Sequence, residues 1–181
     1  FGSLVGGVPT DRFGRKATLT FVGLLYIISA VGCGFAWDVT SFAVSRFIGG
    51  LGIGISTVAA PLYISEISPP AYRGRLAGMF QFNIVFGILV AFASNAALAG
   101  IGENAWRWML GVAAFPSVIY TAMCFALPES PRWLIGRKGD RAEGLKVLRL
   151  IEPEATPAQV EAHADEILAA SSERVSSSHF W

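Results

Sequence analysis

Hydrophobic residues in this chain form long runs separated by short polar segments. Three runs, residues 17–37, 76–102 and 108–127, contain no Asp, Glu, Lys or Arg, and a fourth, residues 39–65, contains only Arg46. A helix needs about 20 apolar residues to cross roughly 30 Å of hydrocarbon. Each run therefore predicts a membrane-spanning helix. A shorter run at residues 1–10 predicts the end of a fifth span that is cut off at its start, so we expect a fragment of a longer protein.

Composition agrees with a membrane protein. Hydrophobic residues make up 53% of the chain and charged residues 15%, whereas soluble domains are usually about 25% charged. Cys33 and Cys124 fall inside predicted spans and are expected to be small buried hydrophobic residues. The net charge of +1 and the lack of a basic block give no indication of a nucleic-acid partner.

The distribution of basic residues predicts the orientation of the spans. Of the 14 Lys and Arg residues, 12 fall on alternating loops of one side, Arg107 falls on the other side, and Arg46 lies within a span. Because cytoplasmic loops carry the excess of Lys and Arg, the side with 12 bases is predicted to be cytoplasmic. The chain then enters from outside through residues 1–10 and ends inside.

Beyond the last apolar run the chain is rich in charge and predicts short surface helices. Ser130 followed by Pro131 is typical of an N-cap and a first helical residue. Asp140 predicts another helix start, and Thr156 with glutamine three residues later predicts a capping box. The polar segment 171–181 is expected to be loosely structured, with a further element beginning at its last two residues.

The three predicted cytoplasmic loops contain both acids and bases. Their sequences are GVPTDRFGRK, EISPPAYRGR and PESPRWL. Taken alone, such loops can be tight hairpins with solvated charges that anchor the spans on the positive side. Their acids and selected bases are Asp11, Arg15, Glu66, Arg73, Glu129 and Arg132.

The segment RFIGGLGIGI combines a base with closely spaced glycines inside a predicted span. Gly50, Gly52 and Gly54 are candidates for close helix packing, because small residues let helix backbones approach each other in lipid. A dinucleotide loop is disfavoured, since no strand precedes the segment. Arg46 is costly within a membrane, so it is predicted to face a cavity or an acidic partner, or alternatively to extend toward the interface.

Gln81 is an amide in the otherwise apolar run that starts at residue 76. Ile88 lies on the same helix face, seven residues later. A membrane amide can simply hydrogen-bond a neighbouring helix. It also has the donor and the acceptor that sugar hydroxyls require, and transporter sites lie near the membrane midplane.

No constellation typical of an enzyme or a metal site is found, so neither catalysis nor a cofactor is predicted. His163 and His179 lie in the polar tail and are expected to be solvated.

Together these motifs resemble the sugar porter family of the major facilitator superfamily. That family has G-x-L-x-D-R-x-G-R-R/K after helix two, R-x-x-x-G-x-G-x-G in helix four, and P-x-Y-x-x-E-I-x-P-x-x-x-R-G at the helix four–five junction. It has Q-x-x-x-x-x-G in helix five and PESPR after helix six. One departure is Pro9, which stands where leucine is usual, and which is expected to alter how that helix ends.

The resemblance implies an all-α polytopic membrane protein. Residues 1–129 would be helices two to six of the N-terminal six-helix bundle, with helix two truncated, and residues 130–181 an incomplete cytoplasmic helical domain. The complete protein would contain two such bundles, related by repeats.

The resemblance also implies roles for the candidate residues. The six loop residues Asp11, Arg15, Glu66, Arg73, Glu129 and Arg132 would form a gating charge network. Glu129 and Arg132 would be free to pair with Arg73. In proton-coupled members the base matching Arg46 faces an acid on helix one, and residues matching Gln81 and Ile88 line the sugar site.

The implied function is transport of a monosaccharide or polyol by alternating access in the cell membrane, with the lipid bilayer as surroundings. Uniport and symport with H⁺ both stay open, as does the oligomeric state. The alternatives are a major facilitator carrier for another small solute and a sugar sensor that does not transport.

Overall fold

The computed structural model describes the backbone of residues 1–178 and the side chains of residues 1–173. Every regular element in that part is a helix, which confirms the all-α prediction. The predictions for His179 and residues 180–181 lie outside the described residues. The helices in chain order are α1 (Gly2–Val5), α2 (Gly7–Phe13), α3 (Arg15–Gly34), α4 (Val39–Ile67), α5 (Arg73–Leu98), α6 (Ala105–Gly111), α7 (Ala114–Ala126), α8 (Pro131–Trp133), a π-turn (Leu134–Lys138), α9 (Arg141–Ile151) and α10 (Pro157–Ser178).

Four helices in the described part are long and apolar enough to cross a membrane: α3, α4, α5 and the segment Ala105–Ala126. They correspond to the four predicted spans. Two begin earlier than the apolar runs, at Arg15 and Arg73, and end earlier, at Gly34 and Leu98. The early starts arise because backbone hydrogen bonding, unlike apolar composition, continues past the membrane surface.

Two prolines interrupt helices in the spans. Pro9 has no N–H to donate to the carbonyl of Val5, and the chain breaks between α1 and α2 at Gly6. Pro116 likewise cannot donate to Val112, whose carbonyl accepts from Phe115 N at 3.1 Å instead. The last predicted span is therefore two helices, α6 and α7, joined by a short break.

α3 is the centre of the membrane part and packs against α4, α6 and α7. Its contact with α4 uses reciprocal pairs of small residues. A methyl group at Gly32 would lie 2.3 Å from Ser45 Oγ, and one at Gly49 would lie 2.4 Å from Ser29 Oγ. Each helix thus offers a glycine to a serine of the other, which brings the two backbones close together.

The three predicted packing glycines differ in their surroundings. A methyl at Gly54 would lie 2.7 Å from the Cα of Gly2, and one at Gly52 would lie 3.1 Å from the ring of Tyr26. Gly50 has no neighbour within 4 Å of that position among the described residues, so its role in helix packing stays a prediction. Because several glycines follow one another in α4, the sequence does not show which of them faces α3. Gly49 lies on that face.

α5 stands apart from this group. None of its residues is buried, and its main contacts are with α4 and α6. By contrast, Cys33 and Cys124 are buried free thiols in the packed helices, as predicted.

The helices that follow the last span have a hydrophobic core of their own. Its buried members come from the π-turn, α9 and α10 and are Ile135, Leu148, Val160, Ala164 and Ile167.

All three predicted helix starts in this domain are confirmed. The hydroxyl of Ser130 caps α8, where Pro131 is the first residue, and Asp140 caps α9. In the capping box, Thr156 N donates to Gln159 Oε1 at 2.8 Å, and Gln159 N donates to Thr156 Oγ1 at 3.4 Å. The expectation of loose structure from residue 171 was wrong, because α10 continues to Ser178. Extending an existing helix is much less costly than starting one.

Candidate gating network and intramembrane cavity

An ion pair joins α3 and α4 at their predicted cytoplasmic ends. Arg15 Nε lies 2.9 Å from Glu66 Oε2, and Arg15 Nη2 lies 3.0 Å from Glu66 Oε1. This two-point contact matches the planar guanidinium to the carboxylate. The side chains are 10% and 4% exposed, so the pair is nearly closed to solvent. Asp11, at the end of α2, adds a carboxylate 3.2 Å from Arg15 Nη2 but is itself 62% exposed.

Ser130 connects this ion pair to the segment that follows α7. Its hydroxyl donates to Glu66 Oε2 at 2.5 Å and accepts from Trp133 N at 3.4 Å. Ser130 is fully buried. Glu66 therefore accepts from α3 and from the start of α8 at once. The sequence predicted the cap but not the bond to Glu66, because the two residues are 64 positions apart.

Glu129 caps the first turn of α3 from a distant part of the chain. Its Oε1 accepts from Arg15 N at 2.9 Å and from Lys16 N at 3.0 Å. These amides have no partner within α3, and the positive end of the helix dipole favours a carboxylate there. Gly14 leaves the space: its φ is +96°, and a methyl on it would lie 2.5 Å from Glu129 Oε2.

The end of α7 is held by two further bonds. Tyr63, in α4, donates its hydroxyl to Pro128 O at 2.7 Å. Lys16, in α3, donates from Nζ to Phe125 O at 2.9 Å, which places a positive charge at the negative end of α7. The ends of α2, α3, α4 and α7 thus meet in one cluster. We call the five residues Asp11, Arg15, Glu66, Glu129 and Ser130 the inner network.

The structure brings together four of the six residues predicted for a charge network, but not in the predicted pairs. Glu129 contacts backbone amides, so its expected pairing with Arg73 was wrong. Arg73 and Arg132 form no ion pair with any side chain described in residues 1–173. Arg73 begins α5, which stands apart, and this separates it from the cluster.

A second feature is a cavity of about 820 Å³ between α3, α4, α5, α6 and α7. Its wall is mainly apolar, with polar groups from Tyr26, Arg46, Asn83 and Asn95. The wall position of Arg46 agrees with the predicted cavity-facing orientation. No hydrogen bond or ion pair joins Arg46 to the described side chains.

The two predicted sugar-binding residues lie on another face of α5. The cavity is lined at Asn83, Gly87 and Val90, which recur at helical spacing. Gln81 and Ile88 are exposed and do not line it. At 3.6 residues per turn they point to the opposite side, away from α3 and α4.

Comparison with known proteins identifies the family. A family model described as "Sugar (and other) transporter" matches residues 1–181, the whole chain. The chain belongs to the sugar transporter family. The resemblance of its motifs to sugar porters is thereby confirmed, and the chain is part of an integral, multi-pass membrane protein.

Characterised relatives of this sugar transporter chain include carriers of several small polyhydroxylated compounds. The chain is 38% identical over 156 residues to the "Major myo-inositol transporter IolT" of Bacillus subtilis (strain 168), covering 84% of this chain and 33% of the relative. It is 36% identical over 160 residues to the "Arabinose-proton symporter" of Escherichia coli (strain K12), covering 88% of this chain and 33% of the relative. The chain thus spans about a third of the length of the curated relatives it matches.

Solved structures show the same fold. The proton:xylose symporter XylE bound to 6-bromo-6-deoxy-D-glucose superposes with a TM-score of 0.88 at 28% identity, covering 95% of this chain and 40% of XylE. The partially occluded inward-open form of XylE from E. coli gives a TM-score of 0.87. The sugar transporter chain is therefore similar to less than half of a major facilitator carrier.

Proposed function

We propose that this chain forms part of a carrier that moves a monosaccharide or polyol across the membrane by alternating access. Relatives named for myo-inositol, arabinose and xylose support a small polyhydroxylated substrate. The observation that carries the proposal is the inner network. It joins the cytoplasmic ends of α2, α3, α4 and α7. The joining contacts are made by side chains, so they can break while each helix stays intact.

The physical chemistry of Arg15 and Glu66 suits a gate. Removing water from two charges is costly, and their attraction in the low-dielectric interior roughly offsets that cost. Opening the cytoplasmic side would rehydrate both groups and regain solvation as the contact is lost. The closed and open arrangements can then differ by only a few kcal/mol, as a bistable element requires.

Two domains follow from this proposal. Residues 1–129 form the membrane part, and residues 130–181 form a cytoplasmic helical domain. The separate hydrophobic core around Ile135 and Leu148 supports the division. Ser130, at the boundary, links the cytoplasmic domain to the gate through Glu66.

The sugar would contact α5 through Gln81 and Ile88. Their face of α5 is exposed and turned away from α3 and α4, so it is free to form a binding surface with other parts of a complete carrier. The amide of Gln81 can donate to one hydroxyl and accept from another.

Coupling to H⁺ would involve Arg46. Two of the compared carriers are named proton symporters, and Arg46 lies on the wall of a largely apolar intramembrane cavity. A charge placed there is sensitive to any acid that approaches it and changes protonation. Bacterial relatives with the same fold support a location in the cell membrane.

Uptake measurements with the intact protein in liposomes test the proposal. We expect saturable uptake of at least one labelled hexose, pentose or inositol. Replacing Gln81 by Leu removes hydrogen bonds worth about 0.5–1.5 kcal/mol, so the KM for sugar should rise roughly twofold to tenfold. Asn83→Leu, on the opposite face of α5, is the matched control. Uptake of an organic acid with no uptake of any sugar or polyol would refute the proposed substrate class.

An imposed proton gradient separates the two transport modes in the same assay. Acceleration by the gradient assigns symport, and Arg46→Gln should then abolish the acceleration. If the gradient changes nothing in the unmodified protein, the role proposed for Arg46 in coupling is wrong.

A further inference from the structure

A second cavity lies on the cytoplasmic side, between the inner network and α10. Its volume is about 300 Å³, and its wall includes Arg132, Trp133, Arg137 and Ser171. Small-molecule sites usually span about 300–1,000 Å³. The cavity is therefore large enough for a small charged group and too small for most cofactors.

Two bases on this wall have no partner among the side chains described in residues 1–173. Arg132 and Arg137 are exposed and form no ion pair or hydrogen bond with the side chains described in residues 1–173. The adjacent base, Lys138, lies 3.5 Å from Asp140. The guanidinium groups of Arg132 and Arg137 therefore have N–H donors available for a ligand, whereas the neighbouring ammonium group of Lys138 is already paired.

The π-turn places both arginines on the same cavity. Its closing bond runs from Gly139 N to Leu134 O, five residues apart. Such a turn advances less per residue than the roughly 100° of an α-helix, so Arg137 returns nearer to the direction of Arg132. Single π-turns are found frequently at functional sites.

The acids on the same wall are already engaged. Asp11 and Glu66 both contact Arg15, at 3.2 Å and 2.9 Å. The wall therefore holds three guanidinium groups and two carboxylates, a net charge of +1. Each guanidinium group has five N–H donors in a planar fork, which suits a tetrahedral oxyanion. The indole of Trp133 and the side chain of Ile167 supply an apolar wall beside them.

We propose that this cavity binds a phosphate group, held by Arg132 and Arg137. The phosphate can belong to a soluble phosphomonoester or to the headgroup of an anionic phospholipid of the inner leaflet, since both present the same oxygens. This site is distinct from the proposed sugar surface on α5, and its occupancy does not depend on sugar transport.

Direct binding to the intact protein in detergent tests the site. Labelled inorganic phosphate is measured by equilibrium dialysis, with sodium chloride at equal ionic strength to screen non-specific attraction. For the lipid, the intact protein is placed in nanodiscs of phosphatidylcholine and phosphatidylglycerol, and the lipid retained after dilution is measured by mass spectrometry. The variants are Arg132→Gln with Arg137→Gln, and the single Arg137→Gln in case the pair impairs folding. Arg149→Gln is the control, because Arg149 is an exposed base outside the cavity.

We expect saturable phosphate binding or selective retention of phosphatidylglycerol, reduced at least tenfold in the double variant and at least threefold in the single one. The Arg149→Gln control should match the unmodified protein. Phosphate binding without lipid retention assigns the soluble ligand, and the reverse assigns the phospholipid. The proposal is overturned if neither ligand binds, or if the cavity variants bind as well as the control.

Discussion

Replacing Gly14 by Ala tests whether Glu129 holds the start of α3. Gly14 has φ +96° and ψ 163°, a region that is essentially restricted to glycine. An alanine methyl at this position would also lie 2.5 Å from Glu129 Oε2 and 3.3 Å from the ring of Trp133. The substitution therefore strains the backbone and displaces the capping carboxylate at the same time.

The two effects can be estimated separately. A residue held in so sparsely populated a conformation costs about 1–3 kcal/mol. Moving Glu129 away from Arg15 N and Lys16 N loses hydrogen bonds to a charged group, worth about 1.5–3 kcal/mol each. Gly14→Ala should thus cost roughly 2.5–6 kcal/mol if one of these bonds is lost. Gly102→Ala is the control, because φ is +123° there but no atom lies within 4 Å of the added methyl.

Thermal unfolding of the intact protein in detergent compares the two variants. The apparent midpoint should be read at one fixed scan rate, since membrane carriers of this size can unfold irreversibly. We expect Gly14→Ala to lower the midpoint about twice as much as Gly102→Ala. Adding Glu129→Ala should then reduce the further cost of Gly14→Ala, because the carboxylate is already absent. Equal shifts for the two glycine variants would refute the capping role of Glu129.

Two further substitutions test other contacts. Ser130→Ala removes one donor from the buried carboxylate of Glu66 and should cost about 1–3 kcal/mol; a thermal midpoint equal to that of the unmodified protein would contradict the geometry. Gly49→Val forces a side chain against Ser29 and should cost about 1–3 kcal/mol by overpacking. Gly50→Val, with open space at that position, should leave the midpoint nearly unchanged, and equal losses in both glycine variants would exclude selective contact at Gly49.

The membrane spans could be predicted from the sequence because the physical requirement is local. A span needs a continuous apolar run, and each run is visible without knowledge of its neighbours. The helix starts at Ser130, Asp140 and Thr156 were equally accessible, since a cap and the amide that it accepts from are three residues apart. Predictions of this kind failed where an existing helix continued through polar residues, as in α10, and where a proline divided a span, as between α6 and α7.

The partner of Glu129 could not be predicted from residue types. Charged side chains can be read from a sequence, so they suggest ion pairs. The unpaired backbone amides at the start of a helix belong to residues of any type, so no residue type marks them. Gly14 was the available signal, because a glycine before a helix can indicate a backbone position that excludes a side chain. Arg73 and Arg132 were grouped with Glu129 by the resemblance to sugar porters, which does not determine the distances between side chains in this chain.

Glu129 and Ser130, adjacent residues of the PESPRWL segment, make contacts of different kinds. Glu129 accepts from amides of α3, and those amides need a partner for as long as α3 remains a helix. Its contact should therefore persist in both the open and the closed arrangement of the proposed gate. Ser130 donates to a side chain of α4, and that bond can break while both helices stay intact. The same short segment thus supplies a contact that stays, through Glu129, and a contact that can break, through Ser130. A gate at the end of a rigid bundle requires both kinds of contact.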